Sequence, residues 1–302
     1  MKRVGFVGLG LMGAPMAANV ARAGFPLTVF NRSSAKGEPL RQLGASLAAT
    51  PRQVAAASDV VVCMLADASA SRQVLSGEHG LLAGGRRGMT LIDMSTVSPA
   101  QARATAGEAA VVGWSMLDAP VFGSTGPAKE GKLGIMVGGE ASDFEAQRDV
   151  LATMGTLIWH LGPVGSGALA KLCVNLLVAA QISSLAEALV LAGKGGLSPE
   201  AMGPILRSSP LVSNLIDRKI GPMLSGDFAP AFPLKHLHKD LGLLSATAHD
   251  LGASLPATEA IQALFAAAQA DGLGELDSAA VYRRLASMAG LETTGVPAGR
   301  KA

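Results

Sequence analysis

Glycines at positions 5, 8, 10 and 13 crowd the first thirteen residues and limit the possible fold more than any other feature of the chain. Glycine costs a helix interior about 1 kcal/mol relative to alanine. The segment therefore reads poorly as a secretory signal core, although Lys2, Arg3 and the Ala21-Arg22-Ala23 step imitate the flanks of one. The same glycines suit a short strand over Val4-Gly5-Phe6-Val7, a tight turn and a helix start. In Gly8-Leu9-Gly10-Leu11-Met12-Gly13 they let the backbone turn sharply and bring a pyrophosphate up to the helix N-terminus, where amides and the helix dipole favour an anion. Gly8, Gly10, Leu11, Met12 and Gly13 are thus the first candidate cofactor-binding residues. The bland alternative is a turn in some other doubly wound fold.

The chain beyond this turn has the texture of a parallel sheet. Leu27-Thr28-Val29-Phe30, Asp59-Val60-Val61-Val62-Cys63, Thr90-Leu91-Ile92-Asp93 and a run near Leu117 are short, apolar and separated by helical stretches. Continuous apolar strands alternating with helices imply an α/β, doubly wound parallel sheet covered on both faces. Leu133-Gly134-Ile135-Met136-Val137 and Leu157-Ile158-Trp159-His160 are expected to extend that same sheet, with a helix between them ending near Leu151. The sheet domain, 1–162, closes at Gly162-Pro163. From Val164 strand-like alternation disappears and helix formers run on until Gly193 and Gly195-Gly196, which predicts one long helix over about 164–194. Ser198-Pro199 reads as an N-cap with proline in the first turn, and further helices are predicted at 233–251, 257–270 and 278–289. The second domain, 163–302, is therefore all-helical, ending in a mobile tail from Glu292. No internal repeat is found.

Composition narrows the partners. Of the 302 residues 49% are hydrophobic and 16% charged, enough apolar material for two ordinary cores. The net charge of +2 has no basic cluster behind it, so neither nucleic acid nor an acidic membrane surface is expected, and a small-molecule substrate is. The apolar stretch 172–191 contains Asn175, Gln181 and Glu187 and so lacks the unbroken apolar length of a membrane span. Cys63 and Cys173 read as two reduced core thiols of a cytoplasmic protein. His236 and His238 flank Leu237 without further ligands in reach of the pattern, so no metal is assigned.

The end of the second strand chooses between nicotinamide cofactors, because an acidic residue there binds a free ribose hydroxyl and a basic one suits a 2′-phosphate. The sequence is Asn31-Arg32-Ser33-Ser34. With no carboxylate, and with Arg32 offering a planar fork beside two hydroxyls, NADP (NADPH) is preferred. Arg32 stacking on the adenine and tolerating NAD as well is the alternative. Asn31, Arg32 and Ser33 join the candidate cofactor residues, as does Leu65 just beyond the strand ending at Cys63. Ser95 and Thr96 follow the strand ending at Asp93, at the carboxyl edge where open α/β sheets bind ligands, and both hydroxyls are expected to face the cleft. Ser98-Pro99 capping the next helix explains the same residues without a ligand. Lys171 and Asn175 lie four apart and share a helix face. By spacing alone, Lys171 fits equally a lysine whose stem crosses apolar surface to reach water.

Taken together, Gly8 through Asn19, Asp93-Met94-Ser95-Thr96-Val97-Ser98-Pro99, Asp118-Ala119-Pro120-Val121, Gly162-Pro163-Val164-Gly165-Ser166-Gly167 leading to Lys171 and Asn175, and Lys239-Asp240 resemble the β-hydroxyacid dehydrogenase family across nearly the whole chain. That family includes 3-hydroxyisobutyrate dehydrogenases, tartronate semialdehyde reductases and glyoxylate/succinic semialdehyde reductases. The resemblance implies a Rossmann-like domain, a long interdomain helix and a helical domain that completes a dimer or tetramer. It implies Lys171 as general acid/base, Asn175 positioning the substrate oxygen, Thr96 against the nicotinamide, and Lys239 in the cofactor and active-site region. A solvated Lys239 paired with Asp240 is the plainer reading. A lysine titrates near about 10.4 unperturbed, so a neighbouring cation such as Lys239 would help Lys171 work near neutrality.

One departure stands out. Where the family commonly has serine followed by two small residues after Pro-Val, this chain has Phe122-Gly123-Ser124. In the family that loop binds the substrate carboxylate. Here Ser95, Phe122, Gly123 and Ser124 are the candidate substrate residues, with Phe122 expected to narrow the pocket or favour a more apolar substrate. The expected function is NADPH-dependent reduction of a short aldehyde acid such as succinic semialdehyde or glyoxylate, or the reverse oxidation. An NAD-dependent 3-hydroxyisobutyrate-type dehydrogenase is the alternative, and a noncatalytic dinucleotide-binding module a further one. Lys171 argues against the module and against the related imine reductases, which typically lack that lysine.

Overall fold

The computed structural model describes residues 1–291. The chain divides into two compact units, residues 1–172 and 173–302, and the division falls inside the continuous helix Ser166–Lys194 rather than ahead of it.

In the first unit, strands β1 (Val4–Val7), β2 (Leu27–Phe30), β3 (Ser46–Leu47), β4 (Val60–Cys63), β5 (Thr90–Asp93) and β6 (Ser115–Asp118) form one sheet in the order β3-β2-β1-β4-β5-β6. Every neighbouring pair is parallel. Because side chains alternate along a strand, Val60 and Val62 enter one apolar cluster with Phe6, Met16 and Ile92. Val61 and Cys63 enter the other with Val54, Leu91 and Trp114. Both faces are covered, which is why these strands read as unbroken apolar runs. Three of the helices that cover them start on side-chain caps: Thr50, Asp67 and Ser98 accept from the backbone N–H groups of Gln53, Ala70 and Gln101.

The runs after position 120 do not extend this sheet, contrary to the sequence expectation. Strands β7 (Val121–Phe122), β8 (Leu133–Val137) and β9 (Gly155–His160) form a separate three-stranded sheet in which β7 and β8 are antiparallel and β8 and β9 parallel. Only Ala119 and Pro120 separate β6 from β7. So short a link cannot make the long crossover that a parallel neighbour needs, and the chain turns into antiparallel pairing instead. The two sheets touch at one bridge, where the amides of Asp118 and Gly138 donate to each other's carbonyl at 3.0 and 2.8 Å.

The second unit is helical. Beyond the continuing long helix come Pro199–Ser208, Asn214–Ser225, Leu234–Asp250, Pro256–Ala270 and Val281–Met288. They pack Ile182, Leu185, Leu189, Ile220, Met223, Leu237, Leu241 and Phe265 into one core. Ser198 caps the first of them, as expected. The helix Asn214–Ser225 is not among the sequence expectations; Gly221-Pro222 disguises it, while Ser213 caps its start and Gly226, at φ 75°, ends it. The predicted helix 278–289 resolves into a 3-10 turn, Ser278–Ala280, followed by Val281–Met288. Buried Asp277 staples the unit: its carboxylate accepts from the amides of Ala231, Phe232 and Ala279 and pairs with the ammonium of buried Lys219. The expected tail from Glu292 lies outside the described residues.

Two further expectations need correction. Cys63 is buried, but Cys173 is exposed, on the outward side of the long helix with Leu169 and Leu177 one turn to either side. That helix is also long and apolar enough, by length and composition alone, to cross a membrane, with a window of mean hydropathy 1.8. Its inward residues Ala179, Ile182, Leu185 and Leu189 instead belong to the apolar core of the second unit, which demands the same composition.

Candidate active site

The turn after β1 is built for close approach. Gly8 has φ +97°, and a Cβ there would lie 2.2 Å from the Met64 carbonyl oxygen; one on Gly13 would lie 1.9 Å from the Gly8 carbonyl oxygen. Gly10 differs, since a Cβ there would meet no heavy atom within 4 Å. The first and third glycines are thus required by the protein's own packing, and the second leaves a space open beside the turn. Helix Gly13–Arg22 starts at Met12 with no described side chain capping it, and Leu11 is exposed beside it. An uncapped helix N-terminus facing an open cradle fits the pyrophosphate of a dinucleotide.

Asn31, at the end of β2, spends its side chain on the protein: Oδ1 accepts from the Leu9 amide at 2.9 Å and Nδ2 donates to the Ser33 carbonyl at 3.0 Å. It therefore ties the glycine turn to the next turn, where Arg32, Ser33, Ser34 and Lys36 are all exposed. Lys36 is not among the sequence candidates; a second cation five residues past Asn31 is the signal that could have found it.

At the ends of β4 and β5, the Leu65 amide donates to Ser95 Oγ at 2.9 Å and the Ser95 amide to Asp93 Oδ1 at 3.0 Å. Ser95 is 1% exposed, so its oxygen braces two strand-end loops rather than opening to a cleft. Thr96, the next residue, is half-buried.

The ring of Phe122 lies across Gly134, its partner in the β7/β8 register, where a Cβ would come within 2.2 Å of Cζ. It also stacks on Trp159, with ring centroids 5.8 Å apart and planes inclined by 26°. The ring is thus held on the face of the three-stranded sheet. Gly123 is exposed at φ +121°, and half-buried Ser124 precedes the short helix Thr125–Glu130 without capping it.

Lys171 stands in the second turn of the long helix, half-buried, with Asn175 one turn further. Asn175 is 2% exposed and donates from Nδ2 to Asp240 Oδ2 at 2.6 Å. The Lys239 ammonium lies 2.9 Å from Asp240 Oδ1. Asp240 is itself 2% exposed, so the Lys239 pairing expected from the sequence exists but is anchored in the interior. Burial, with Lys235 and Lys239 nearby, pushes the His236 imidazole below its ordinary pKa. A second buried carboxylate, Asp118, enters the sequence pattern only as part of a motif; it accepts from the amides at the start of the long helix.

Residues 3–162 match the model of the NAD binding domain of 6-phosphogluconate dehydrogenase. Residues 165–285 match that of the NAD-binding domain of NADP-dependent 3-hydroxyisobutyrate dehydrogenase. Among curated relatives, the chain is 37% identical to the 2-(hydroxymethyl)glutarate dehydrogenase of Eubacterium barkeri, covering 97% of this chain and 98% of that one. It is 36% identical to the 2-hydroxy-3-oxopropionate reductase of Escherichia coli K12, covering 95% and 98%. The crystal structure of the 3-hydroxyisobutyrate dehydrogenase of Salmonella typhimurium superposes with a TM-score of 0.86 at 29% identity, covering 93% of this chain and 99% of that chain. Two family models that together span residues 3–285, and relatives 36–37% identical over nearly the whole of both chains, establish that the chain belongs to the β-hydroxyacid dehydrogenase family and is an NAD(P)-dependent oxidoreductase acting on CH–OH groups.

Proposed function

We propose that the protein reduces a short aldehyde acid of the succinic semialdehyde or glyoxylate kind with NADPH, or oxidises the corresponding hydroxy acid, with Lys171 as general acid/base. The observation that carries the reading is the half-buried Lys171 on the same helix as Asn175, whose amide plane is fixed by buried Asp240. When bound, the nicotinamide supplies or takes up the hydride. Lys171 gives a proton to the carbonyl oxygen in reduction and takes it back in oxidation. Asn175 orients that oxygen with the amide N–H that Asp240 leaves over. Gly123 and Ser124 supply the loop's donors to the substrate carboxylate, since the Phe122 ring is engaged by Gly134 and Trp159.

Support for NADPH comes from exposed Arg32, Ser33, Ser34 and Lys36 on a turn without a carboxylate. Support for the substrate class comes from two glyoxylate/succinic semialdehyde reductases of Arabidopsis thaliana, 34% and 36% identical to this chain. A second reading, NAD-dependent oxidation of 3-hydroxyisobutyrate, has its own support in the 37% identity to the 3-hydroxyisobutyrate dehydrogenase of Pseudomonas aeruginosa. In either reading the enzyme works as a homo-oligomer, a dimer or tetramer, which light scattering counts directly.

The deciding experiment measures NADPH and NADH oxidation against succinic semialdehyde, glyoxylate, tartronate semialdehyde and methylmalonate semialdehyde, with Lys171→Ala alongside. Turnover that favours NADPH is expected, falling by roughly 10²- to 10⁴-fold in Lys171→Ala while cofactor affinity holds. Wild-type turnover in that variant would overturn the mechanism. Preference for NADH with methylmalonate semialdehyde, the oxidised partner of 3-hydroxyisobutyrate, would select the second reading.

A further inference from the structure

The first turn of the long helix meets Asp118, at the carboxyl end of β6, and Met136 of β8 with small residues only. Gly165 has φ +98°, and a Cβ on Gly167 would lie 2.3 Å from the Met136 carbonyl oxygen and 2.7 Å from that of Asp118. A Cβ on Gly138 would lie 2.5 Å from Asp118 Oδ1. Gly138 and Gly167 therefore let the first helical turn press directly on the strands, while a Cβ on Gly165 would meet Arg103 and Pro99 instead. That first turn has no large buried side chain to set the helix's rotation, the first being Leu172 in the next turn. One carboxylate bonds that turn directly. Asp118, the last residue of β6 and fully buried, accepts from the Gly165 amide through Oδ1 and from the Ala168 amide through Oδ2, both at 2.7 Å. Its own backbone is locked by the paired bonds to Gly138.

We propose that Asp118 is a positioning residue for catalysis: a helix cap supplied from a strand, which sets the rotation of the long helix and thereby the place of Lys171, three residues past Ala168. The inference rests on the assignment of Lys171 as general acid/base. A side chain some 5 Å from the helix axis moves by about 1 Å for a 10° rotation. A misplacement of about 1 Å costs a reaction on the order of 100-fold. The carboxylate is well matched to its task, because two amide donors and the positive end of the helix dipole offset its desolvation. Burial still pushes the Asp118 carboxyl above its ordinary pKa, with the amides of Gly165 and Ala168 pulling the other way.

The test is a double-mutant cycle on the full chain with NADPH and the best substrate found. Asp118→Asn keeps the shape but replaces one acceptor oxygen by a donor that faces an amide. It is expected to lower kcat about tenfold or more in the wild-type background and to have almost no effect on the residual rate in the Lys171→Ala background, with the cofactor-induced rise in Tm unchanged. Equal factors in both backgrounds would overturn the proposal, since damage independent of Lys171 multiplies through unchanged. A Lys171→Ala variant with wild-type turnover would remove the catalytic assignment itself, a different failure. Asp118→Ser, which retains one acceptor oxygen, runs the same cycle if the asparagine variant does not fold. Independently of any variant, hydrogen exchange on the wild-type chain should find the Gly165 and Ala168 amides protected; fast exchange at both would show that Asp118 does not hold the helix.

Discussion

Replacing Gly8, Gly10 and Gly13 by alanine one at a time separates what the protein needs from what the cofactor needs. On Gly13 the added carbon meets the Gly8 carbonyl oxygen at 1.9 Å, where ordinary contacts begin at 3.4 Å, so the turn must open by more than 1 Å. Overpacking of that kind costs about 1–3 kcal/mol. For a unit of this size that is a fall in Tm of roughly 2–12 °C without any ligand. Gly8→Ala adds the strain of φ +97° to a 2.2 Å approach and should fall at least as far. Gly10→Ala has free space around its new carbon and should leave the ligand-free Tm within about 1 °C. Its cost appears when NADPH is added. At 100 times its dissociation constant a ligand stabilises the wild type by about 2.7 kcal/mol, a shift of roughly 5–11 °C. Two charge-assisted hydrogen bonds lost to the pyrophosphate weaken binding by at least about 100-fold, which cuts the gain to about 0.4 kcal/mol or less and the shift to at most roughly 1–2 °C. Differential scanning fluorimetry with and without NADPH reads both quantities. Either of two results refutes this division of labour: Gly10→Ala destabilising the free protein as much as Gly13→Ala does, or Gly10→Ala keeping the full cofactor shift.

Two further outcomes test the framework around the site. Lys219→Met should cost about 3–5 kcal/mol in urea denaturation by leaving Asp277 buried without its cation, and Lys219→Met with Asp277→Asn should recover part of that loss; a single-variant cost below about 1 kcal/mol would show that the pair is solvated. The Asp59 carboxyl is held well below its ordinary pKa, first by the Arg3 side-chain hydrogen bonds and then by the Arg3 amide, with Arg86 adding to both. Its contribution is therefore complete above the unfolded value of about 3.9 and is lost as pH falls through the lower folded value, so the Tm gap between wild type and Asp59→Asn should be flat from neutral pH to about 4 and close below it. A gap that closes already near pH 6 would contradict this assignment.

The parts of the molecule legible in the sequence are those in which local pattern and tertiary role coincide. Strand β4 is apolar at every residue because both of its faces are covered, and the glycine turn carries its function in backbone conformation that only glycine adopts cheaply. The three-stranded sheet is hidden because Leu133–Val137 is buried throughout and so looks the same whether its neighbours are parallel or antiparallel. The two-residue link at Ala119 and Pro120 is the clue, and it concerns connection length rather than apolar pattern. Asp118, Ser95 and Asp240 are harder still. Their partners lie 47 and 50, 30, and 65 residues away along the chain, and no local signal tells a buried carboxylate that braces a helix from a solvated one. Phe122 looks in the sequence like an intrusion into a binding loop; Gly134 and Trp159, which receive its ring, are recognisable as its counterparts only once the strands are paired.

The side chain of Asn31 has a consequence for redesign. Its oxygen holds the Leu9 amide and its nitrogen holds the Ser33 carbonyl, so one amide group serves as the hinge pin between the two turns. A carboxylate placed there to attract a free ribose would keep the first bond but set a negative oxygen against the Ser33 carbonyl, loosening the seat it was meant to modify. On the proposed reading, an exchange of dinucleotide preference would be sought at Arg32, Ser33 and Ser34, which are exposed, with Asn31 left as the fixed mount on which any new specificity is installed.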